Sequence, residues 1–127
     1  MNLYRFDRNL HIMEKGQCDC ASALVEYEEC FENGLKSYES GEEAMSSTSF
    51  GLSRSNEDFI ELSCHGHDSI TVHSDRLHNS SWLSKTFGLK HHFFIKGDKT
   101  KGKEIIQDFF GLRRQEFEAK YADFLCR

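Results

Sequence analysis

Three short segments in the middle of the chain alternate between apolar and polar residues, and this pattern constrains the fold more than any other feature. The segments are Ser47–Arg54, Asp58–Cys64 and Ser69–Asp75, and turn-forming residues separate them at Ser55-Asn56 and at His65–Asp68. Side chains of a strand point alternately to its two faces, so each segment predicts a strand with one buried face. Tight turns favour antiparallel pairing, and the sequence therefore predicts an antiparallel β-meander. Its recurring apolar positions are Phe50, Leu52, Ile60, Leu62, Cys64, Ile70 and Val72.

Helical periodicity lies on both sides of this meander. Apolar residues recur there at three-residue and four-residue intervals, which is the spacing of one helix face. The intervals predict a first helix over Cys20–Asn33, stopped by Gly34, and later helices over Ser81–Phe87, Lys101–Phe110 and Arg113–Leu125. The predicted helices thus surround the predicted sheet in the sequence.

Weaker signals complete the expected architecture. Two period-two pairs within residues 2–13 predict one or two short strands, and His91–Lys96 predicts another. Residues 37–49 are small and polar and predict a loop that runs into the meander, whereas Gly97–Thr100 supplies an N-cap for the following helix. Strands in the middle and helices at both ends indicate an α+β fold, and the length indicates a single domain over residues 1–127.

The N-terminus and the cysteines predict a cytoplasmic protein. Charges lie in the first ten residues, MNLYRFDRNL, where a secretion signal would have its apolar stretch. No apolar run reaches the length of about eighteen residues that a membrane span requires. The five cysteines are an odd number at irregular spacing, and the default in a reducing compartment is free thiols.

Charge is distributed unevenly along the chain. Ten acidic but only two basic residues lie between Glu26 and Glu61, a net charge of −8, whereas Lys85–Lys103 carries six lysines against Asp98, a net charge of +5. The whole chain has a formal charge of −5, so most of its surface repels phosphate and direct binding to nucleic acid is disfavoured. This balance favours a basic protein as the partner.

The acidic segment supplies the candidate partner-binding residues. Four glutamates fall on the polar face of the first helix and three follow it: Glu26, Glu28, Glu29, Glu32, Glu39, Glu42 and Glu43. Glu28 and Glu32 are one helical turn apart and repel each other by about 0.2–0.5 kcal/mol. Lys36 is the one basic residue between Glu26 and Glu43. Such a charge run is typical either of a solvated face or of a binding surface.

A metal site is the main chemical alternative. The chain offers seven soft or borderline ligands: Cys18, Cys20, Cys64, His65, His67, His91 and His92. Zinc accepts such groups, but one residue separates Cys18 from Cys20 where structural zinc sites place roughly two to four. Alternation also points Cys64 and His65 to opposite faces of their strand. We therefore predict no metal and no cofactor, and a small zinc-binding or His/Cys-dependent enzyme is the alternative function.

Catalytic signatures are weak in this sequence. Seven histidines and five cysteines occur without the local motif of an activated nucleophile, and we predict that the chain is not an enzyme. His73 falls on the meander with Glu61 on the neighbouring predicted strand. Such a pair can serve general acid–base chemistry, but it is more often a cross-strand polar pair on the solvent side.

The segment Gly97–Lys103 matches the glycine and lysine spacing of a phosphate-binding loop. The next residue is Glu104, where a serine or threonine would bind magnesium, and a carboxylate there repels phosphate. A capped helix start that is rich in solvated lysine explains this segment better.

Residues 47–125 show a further, more specific succession of elements. The meander SFGLSRSNEDFIELSCHGHDSITV is followed by the Trp-containing segment Ser81–Phe87, another strand and the stretch KGDKTKGKEIIQDFFGLRRQEFEAKY. In a small acidic chain this succession resembles the immunity proteins of bacterial polymorphic toxin systems, including those of contact-dependent growth inhibition. No invariant motif accompanies the resemblance, so it transfers no residue roles.

The resemblance implies a non-enzymatic cytoplasmic inhibitor that binds a cognate toxin domain, often a nuclease, and blocks or distorts its active site. For a basic nuclease, the seven glutamates named above would face the cleft that receives phosphates. For an acidic toxin, the basic segment Lys85–Lys103 would be the contact instead. An adaptor for some other basic protein is a third reading, and the oligomeric state stays open.

Overall fold

The computed structural model describes residues 1–41, 45–55, 58–74 and 92–126, and it confirms the α+β class. The strands are β1 (Asn2–Phe6), β2 (Ile12–Gln17), β3 (Ser49–Ser53), β4 (Phe59–Gly66), β5 (Ser69–His73), β6 (His92–Gly97) and β7 (Leu125–Cys126). The helices are α1 (Cys20–Ser40), α2 (Met45–Thr48), α3 (Lys99–Gly111) and α4 (Arg114–Lys120), followed by a 3-10 turn at Ala122–Phe124. None of these described helices is both long and apolar enough to cross a membrane. The predicted helix Ser81–Phe87 lies outside the described residues.

The described strands form one antiparallel sheet in the order β2-β1-β3-β4-β5-β6-β7. In the middle of this sheet, Leu52 lies opposite Ile60 and Leu62 lies opposite Val72, so the predicted meander is confirmed. The segments predicted within residues 2–13 are β1 and β2, and β1 joins the sheet by pairing with β3. On the other side β6 pairs with β5, close to the predicted position. The sheet therefore extends from the meander in both directions.

Helix α1 continues about two turns beyond the stop predicted at Gly34 and ends at Ser40. Gly34 is buried, and a Cβ atom at this position would lie 2.8 Å from the carbonyl oxygen of Cys64 in β4. The glycine thus permits the close approach of α1 to the sheet and does not end the helix. The left-handed residue that ends α1 is Gly41, with a φ of 74°.

Two other predicted boundaries are also wrong. Residues 37–49 were predicted to form a loop that runs into the meander. In the structure the first of them belong to α1, Met45–Thr48 form α2, and Ser49 begins β3. The predicted helix Arg113–Leu125 ends at Lys120, because Leu125 and Cys126 form β7 and pair with β6. Pairing with the edge of β6 gives the backbone N–H and C=O groups of these two residues their hydrogen-bond partners. In a longer helix they would have bonded within the helix instead.

Helices α1 and α3 cover one face of the sheet with a shared apolar core. They meet at Tyr27, whose hydroxyl donates a hydrogen bond to the carbonyl oxygen of Lys99 at 2.7 Å. A Cβ atom at Gly102 would overlap the same hydroxyl, so the two helices are in close contact there. The core contains Ala23, Tyr27, Cys30, Phe31, Phe50, Leu52, Ile60, Leu62, Cys64, Ile70, Val72, Ile95, Ile105, Ile106, Phe109, Phe117 and Tyr121.

The turn between β3 and β4 is tied to the end of α3 by Arg54. One guanidinium nitrogen, Nη1, donates hydrogen bonds to the carbonyl oxygens of Phe109 at 2.6 Å and of Leu112 at 3.0 Å. The Nε atom of Arg54 pairs with Asp58 at 2.7 Å, and Arg114 of α4 approaches the same carboxylate at 3.4 Å. Carbonyl groups at a helix C-terminus have no partner within the helix, so these contacts fix both helices against the sheet.

Candidate interaction surface

The solvent-facing side of α1, here called the outer face, carries acidic side chains around two exposed apolar residues. The exposed residues that define it are Val25, Glu28, Glu29, Glu32, Leu35 and Glu39. At 3.6 residues per turn they lie opposite the buried Ala23, Tyr27 and Gly34. Val25 has 69% of its surface exposed and Leu35 has 37%. Apolar area thus stays in contact with water among carboxylates, and Lys36 is the single basic residue of this helix.

The seven glutamates predicted to bind a partner do not all belong to this face. Four of them are exposed on it: Glu28, Glu29, Glu32 and Glu39. Glu26 is partly buried and forms an ion pair with Arg5 of β1, which also donates a hydrogen bond to the carbonyl oxygen of Ser47 at 3.1 Å. The charge of Glu26 is therefore compensated inside the protein, and its role in partner binding stays a prediction. Glu42 and Glu43 lie outside the described residues.

The outer face is also compensated at one of its own residues. The carboxylate of Glu28 lies 2.7 Å from the Nζ atom of Lys99, at the start of α3. The expectation of uncompensated charge is therefore wrong at this position, because the partner comes from an element distant in sequence. Within the described part of the chain, no ion-pair partner contacts Glu29, Glu32 or Glu39. These three carboxylates leave negative charge at the surface.

The lysine-rich start of α3 is capped by carboxylates of the protein itself. Asp98 Oδ1 accepts the backbone N–H of Lys101 at 2.8 Å, and Asp68 Oδ1 accepts the backbone N–H of Lys99 at 2.7 Å. Free N–H groups in the first turn of a helix are the ones that would bind a phosphate. Gly97–Lys103 is therefore confirmed as a capped helix start, and its geometry does not offer a phosphate-binding loop.

An open cleft of about 550 Å³ lies between the β1–β2 hairpin, α1 and α2. Its charged lining residues are three bases and three acids: Arg5, Arg8, Lys15, Asp7, Glu26 and Glu29. Asp7 accepts the backbone N–H groups of His11 and Asn9, and these hydrogen bonds hold its pKa below the usual value. Arg5 and Glu26 pair with each other. The cleft is therefore balanced in charge and favours neither a cation nor an anion.

The predicted metal ligands point in different directions. Cys64 packs in the core, where burial raises the pKa of its thiol to about 12, whereas a zinc-bound cysteine is a thiolate. His65 lies on the other face of β4, as alternation predicted, and shares a hydrogen bond of 2.9 Å with Thr71 Oγ1. His67 is exposed in the β4–β5 turn, and His91 lies outside the described residues. Within the described ranges, no three His, Cys, Asp or Glu side chains form a group that could hold a metal ion.

The two N-terminal cysteines belong to the start of α1. Cys18 and Cys20 lie on either side of Asp19, the N-cap residue, whose side chain accepts the backbone N–H of Ser22 at 2.8 Å. Both cysteines are partly buried, and burial raises the pKa of both thiols. They are free thiols, as is Cys30 in the core. Their position is explained by the capped helix start.

Glu61 of β4 lies directly opposite His73 of β5, as the sequence predicted. The same row of the sheet continues through Gly51 of β3 to Tyr4 of β1. The ring of Tyr4 covers Gly51, where a Cβ atom would overlap it. Glu61 is only 6% exposed, so the expectation of a pair on the solvent side is wrong. The face of the sheet away from α1 therefore carries a buried carboxylate, Glu61, between the partly buried His73 and the glycine covered by Tyr4.

One part of the surface was missed at the sequence level. The rings of Tyr38, near the end of α1, and His67, in the β4–β5 turn, are in contact, and Tyr38 is exposed. The predicted helix ended at Asn33, so the prediction left Leu35 and Tyr38 outside it. These two residues are three apart and lie on the same side of the helix only because α1 continues to Ser40. The contact with His67 itself has no local sequence signal.

The chain matches no protein-family model, no curated protein and no solved structure with significant similarity. The chemistry of its own surface is therefore what supports a function.

Proposed function

We propose that this chain is a cytoplasmic protein-binding module that presents the outer face of α1 to a basic partner. Glu29, Glu32 and Glu39 support the proposal because, among the described residues, they have no ion-pair partner. The large exposure of Val25 within this acidic face is the observation that carries it. Val25 is followed one turn later by Glu28 and Glu29, so it gives a partner apolar area to bury next to charge to pair, as the core and the rim of protein interfaces do.

From the resemblance to bacterial immunity proteins we infer that this basic partner is a cognate toxin domain, such as a basic nuclease, whose active site the chain covers. A nuclease cleft is positively charged because it receives phosphates. The same positive potential attracts the carboxylates of a helix. On this proposal the chain is an immunity protein, so it inhibits by occupancy and requires no catalytic residue, metal or cofactor of its own. It competes with nucleic acid for the toxin and does not bind nucleic acid directly.

The first experiment identifies the partner. The immobilised chain is incubated with a lysate of the source organism, and retained proteins are identified by mass spectrometry. We expect a basic protein whose nuclease activity falls in proportion to the amount of chain added. Retention of no basic protein would contradict the binding proposal. A basic protein without toxic activity would contradict the toxin assignment and indicate an adaptor.

The second experiment locates the contact by charge reversal. In the test variant Glu29 and Glu32 are both changed to Lys, and in the control variant the exposed Glu14 and Asp123 are both changed to Lys. The two variants change the net charge equally. We expect the association rate with the retained protein to fall about tenfold or more in the test variant at low salt, and much less in the control. Equal losses in both variants would contradict a contact at the outer face.

A further inference from the structure

Two aromatic rings are in contact at the C-terminal end of α1, next to the outer face. The ring centres of Tyr38 and His67 are 3.9 Å apart, and the ring planes are inclined by 67°. Tyr38 nevertheless has 54% of its surface exposed. Tyrosine is among the residues that most often dominate the binding energy of protein interfaces, since it combines a large apolar area with few rotatable bonds.

The β4–β5 turn holds this aromatic contact in place. Gly66 has a φ of 81°, and a Cβ atom there would lie 2.5 Å from the Cβ atom of Tyr38. His67 and Asp68 follow with φ values of 49° and 54°, the left-handed conformation that a two-residue hairpin turn requires. Asp68 accepts the backbone N–H of Lys99, so the turn is anchored to α3. The exposed ring is therefore preorganised, and a partner that binds it loses little conformational entropy.

Carboxylates lie beside Leu35, the apolar residue one turn before Tyr38. Leu35 is a residue of the outer face, is partly exposed and connects the aromatic contact to that face. Glu32 and Glu39 stand three residues before and four residues after Leu35, and both positions are its neighbours on a helix. We call the surface formed by Leu35, Tyr38 and His67 the aromatic anchor. Its apolar centre and acidic border match the core and rim of a protein interface.

We propose that the aromatic anchor binds an arginine side chain of the basic partner and is the centre of that contact. This inference rests on the proposed function, because the basic partner supplies the arginine. A guanidinium stacks its flat face on an aromatic ring and pairs its edge with a carboxylate. Tyr38 provides the ring, and Glu39, the next residue of α1, provides an exposed carboxylate. Lysine has no planar group to stack and is more strongly hydrated, so the anchor prefers arginine.

Two basic peptides test this preference on the full chain, labelled with ¹⁵N: tetra-arginine amide and tetra-lysine amide. We expect amide shift changes centred on Leu35, Tyr38 and His67. We also expect tetra-arginine to bind about fivefold more tightly than tetra-lysine, which is the size of one cation–π contact. In the unmodified chain, the Cδ protons of the bound arginine should shift upfield under the Tyr38 ring, so this readout needs no variant.

Two matched variants separate the ring from general surface effects. Tyr38→Leu keeps apolar area and helix propensity but removes the ring, and it should bring the two peptides to the same Kd. Phe94→Leu removes another exposed aromatic ring, on β6, and should leave the preference for arginine unchanged. The amide spectra of both variants report whether the fold is retained.

Two results would overturn the aromatic anchor: equal Kd values for the two peptides in the unmodified chain, or tetra-arginine binding that Tyr38→Leu leaves unaltered. If the peptides still shift the amides of Glu29 and Glu32 in those cases, the outer face is retained as a surface for basic partners. If no residue of α1 responds to either peptide, the aromatic anchor and the proposed function both fail.

Discussion

The two faces of α1 differ in how tightly their residues pack against the rest of the protein. The inner face, which includes Tyr27 and Gly34, is buried against the sheet and α3, whereas the outer face is exposed to water. On the inner face, the Tyr27 hydroxyl bonds to the Lys99 carbonyl, and Gly34 leaves no room between the helix and the backbone of Cys64. On the outer face, Val25 and several carboxylates remain in water. The difference teaches that substitutions on the inner face should act strongly on stability, whereas those on the outer face should change stability little and, on the proposed function, act on binding.

The largest effect is expected from adding one methyl group to the inner face. Gly34→Ala places a Cβ atom 2.8 Å from the carbonyl oxygen of Cys64, so α1 has to move away from β4. We expect the free energy of unfolding to fall by about 1–3 kcal/mol, the range for overpacking a core. Urea unfolding at neutral pH measures this change.

The matched control for this substitution is Gly111→Ala at the end of α3. No described atom lies within 4 Å of a Cβ atom added at Gly111. Alanine loses less conformational entropy than glycine in a helix, so this variant should gain about 0.5–1 kcal/mol. The two substitutions are thus expected to have opposite signs. A similar gain at Gly34 would show that α1 is not in close contact with the sheet there.

A pH-dependent effect is expected from the two buried thiols of the core, one on the inner face of α1 and one on β4. Burial raises the pKa of Cys30 and of Cys64 to about 12, from an ordinary value of 9.0. As pH rises above about 9, the unfolded chain loses thiol protons that the folded chain keeps, so the folded state loses stability. Each thiol contributes a slope of about 1.4 kcal/mol per pH unit between its unfolded and folded pKa values.

Cys30→Ala isolates one of these two contributions. The unfolding free energy of this variant should decline less steeply than that of the unmodified chain between about pH 9 and about pH 10. Below about pH 8 the two curves should run parallel, since the thiol is protonated in both states there. Parallel curves across the whole range would show that the Cys30 thiol titrates equally in the folded and the unfolded chain.

A smaller effect is expected where α1 meets α3. Tyr27→Phe removes the hydroxyl that bonds to the Lys99 carbonyl oxygen at 2.7 Å, and it should lower the unfolding free energy by about 1 kcal/mol. Tyr38→Phe is the same chemical change near the exposed end of the helix, and it should alter stability by less than about 0.5 kcal/mol. Thermal or urea unfolding of the two variants compares a buried with an exposed hydroxyl directly. Equal losses would mean that the hydrogen bond of Tyr27 adds nothing specific.

The meander was predictable because alternation is a local consequence of burying one face of a strand. The pairing of Leu52 with Ile60 follows from the turn between them. Gly34 was misread because a glycine in a helix has the same local signature whether it ends the helix or permits close packing. Its role depends on Cys64, in another element, and no pattern within the helix contains that information.

The candidate surface shows the same limit. Exposed charges repeat with the period of a helix, so most of the acidic outer face could be identified from the sequence alone. The ion pair of Glu26 could not be predicted, because its partner, Arg5, belongs to β1. The contact between Tyr38 and His67 could not be predicted at all, since it joins a helix end to a turn between two strands. Contacts between distant elements decide which of the exposed side chains are available.

The smallest effect on stability is expected on the outer face. Glu32→Gln removes the repulsion with Glu28 one turn earlier, and among the described residues Glu32 forms no ion pair with Lys36 one turn later. The variant should therefore raise the unfolding free energy by about 0.2–0.5 kcal/mol at low salt. Glu28→Gln removes the same repulsion but also the ion pair with Lys99, so its gain should be smaller. Salt at about 1 M screens exposed charges and should abolish the difference between the two variants.

A loss of stability in Glu32→Gln would mean that Glu32 makes a stabilising contact within the folded chain, and the outer face would then need no partner to explain its charge. A gain would mean that this carboxylate opposes folding where it stands. Because a residue that lowers stability without local compensation points to a use beyond the fold, a gain would strengthen the contrast between the two faces of α1. Binding to the basic partner should then weaken in the variant that folds more stably, since the charge that repels Glu28 is also the charge that the partner meets.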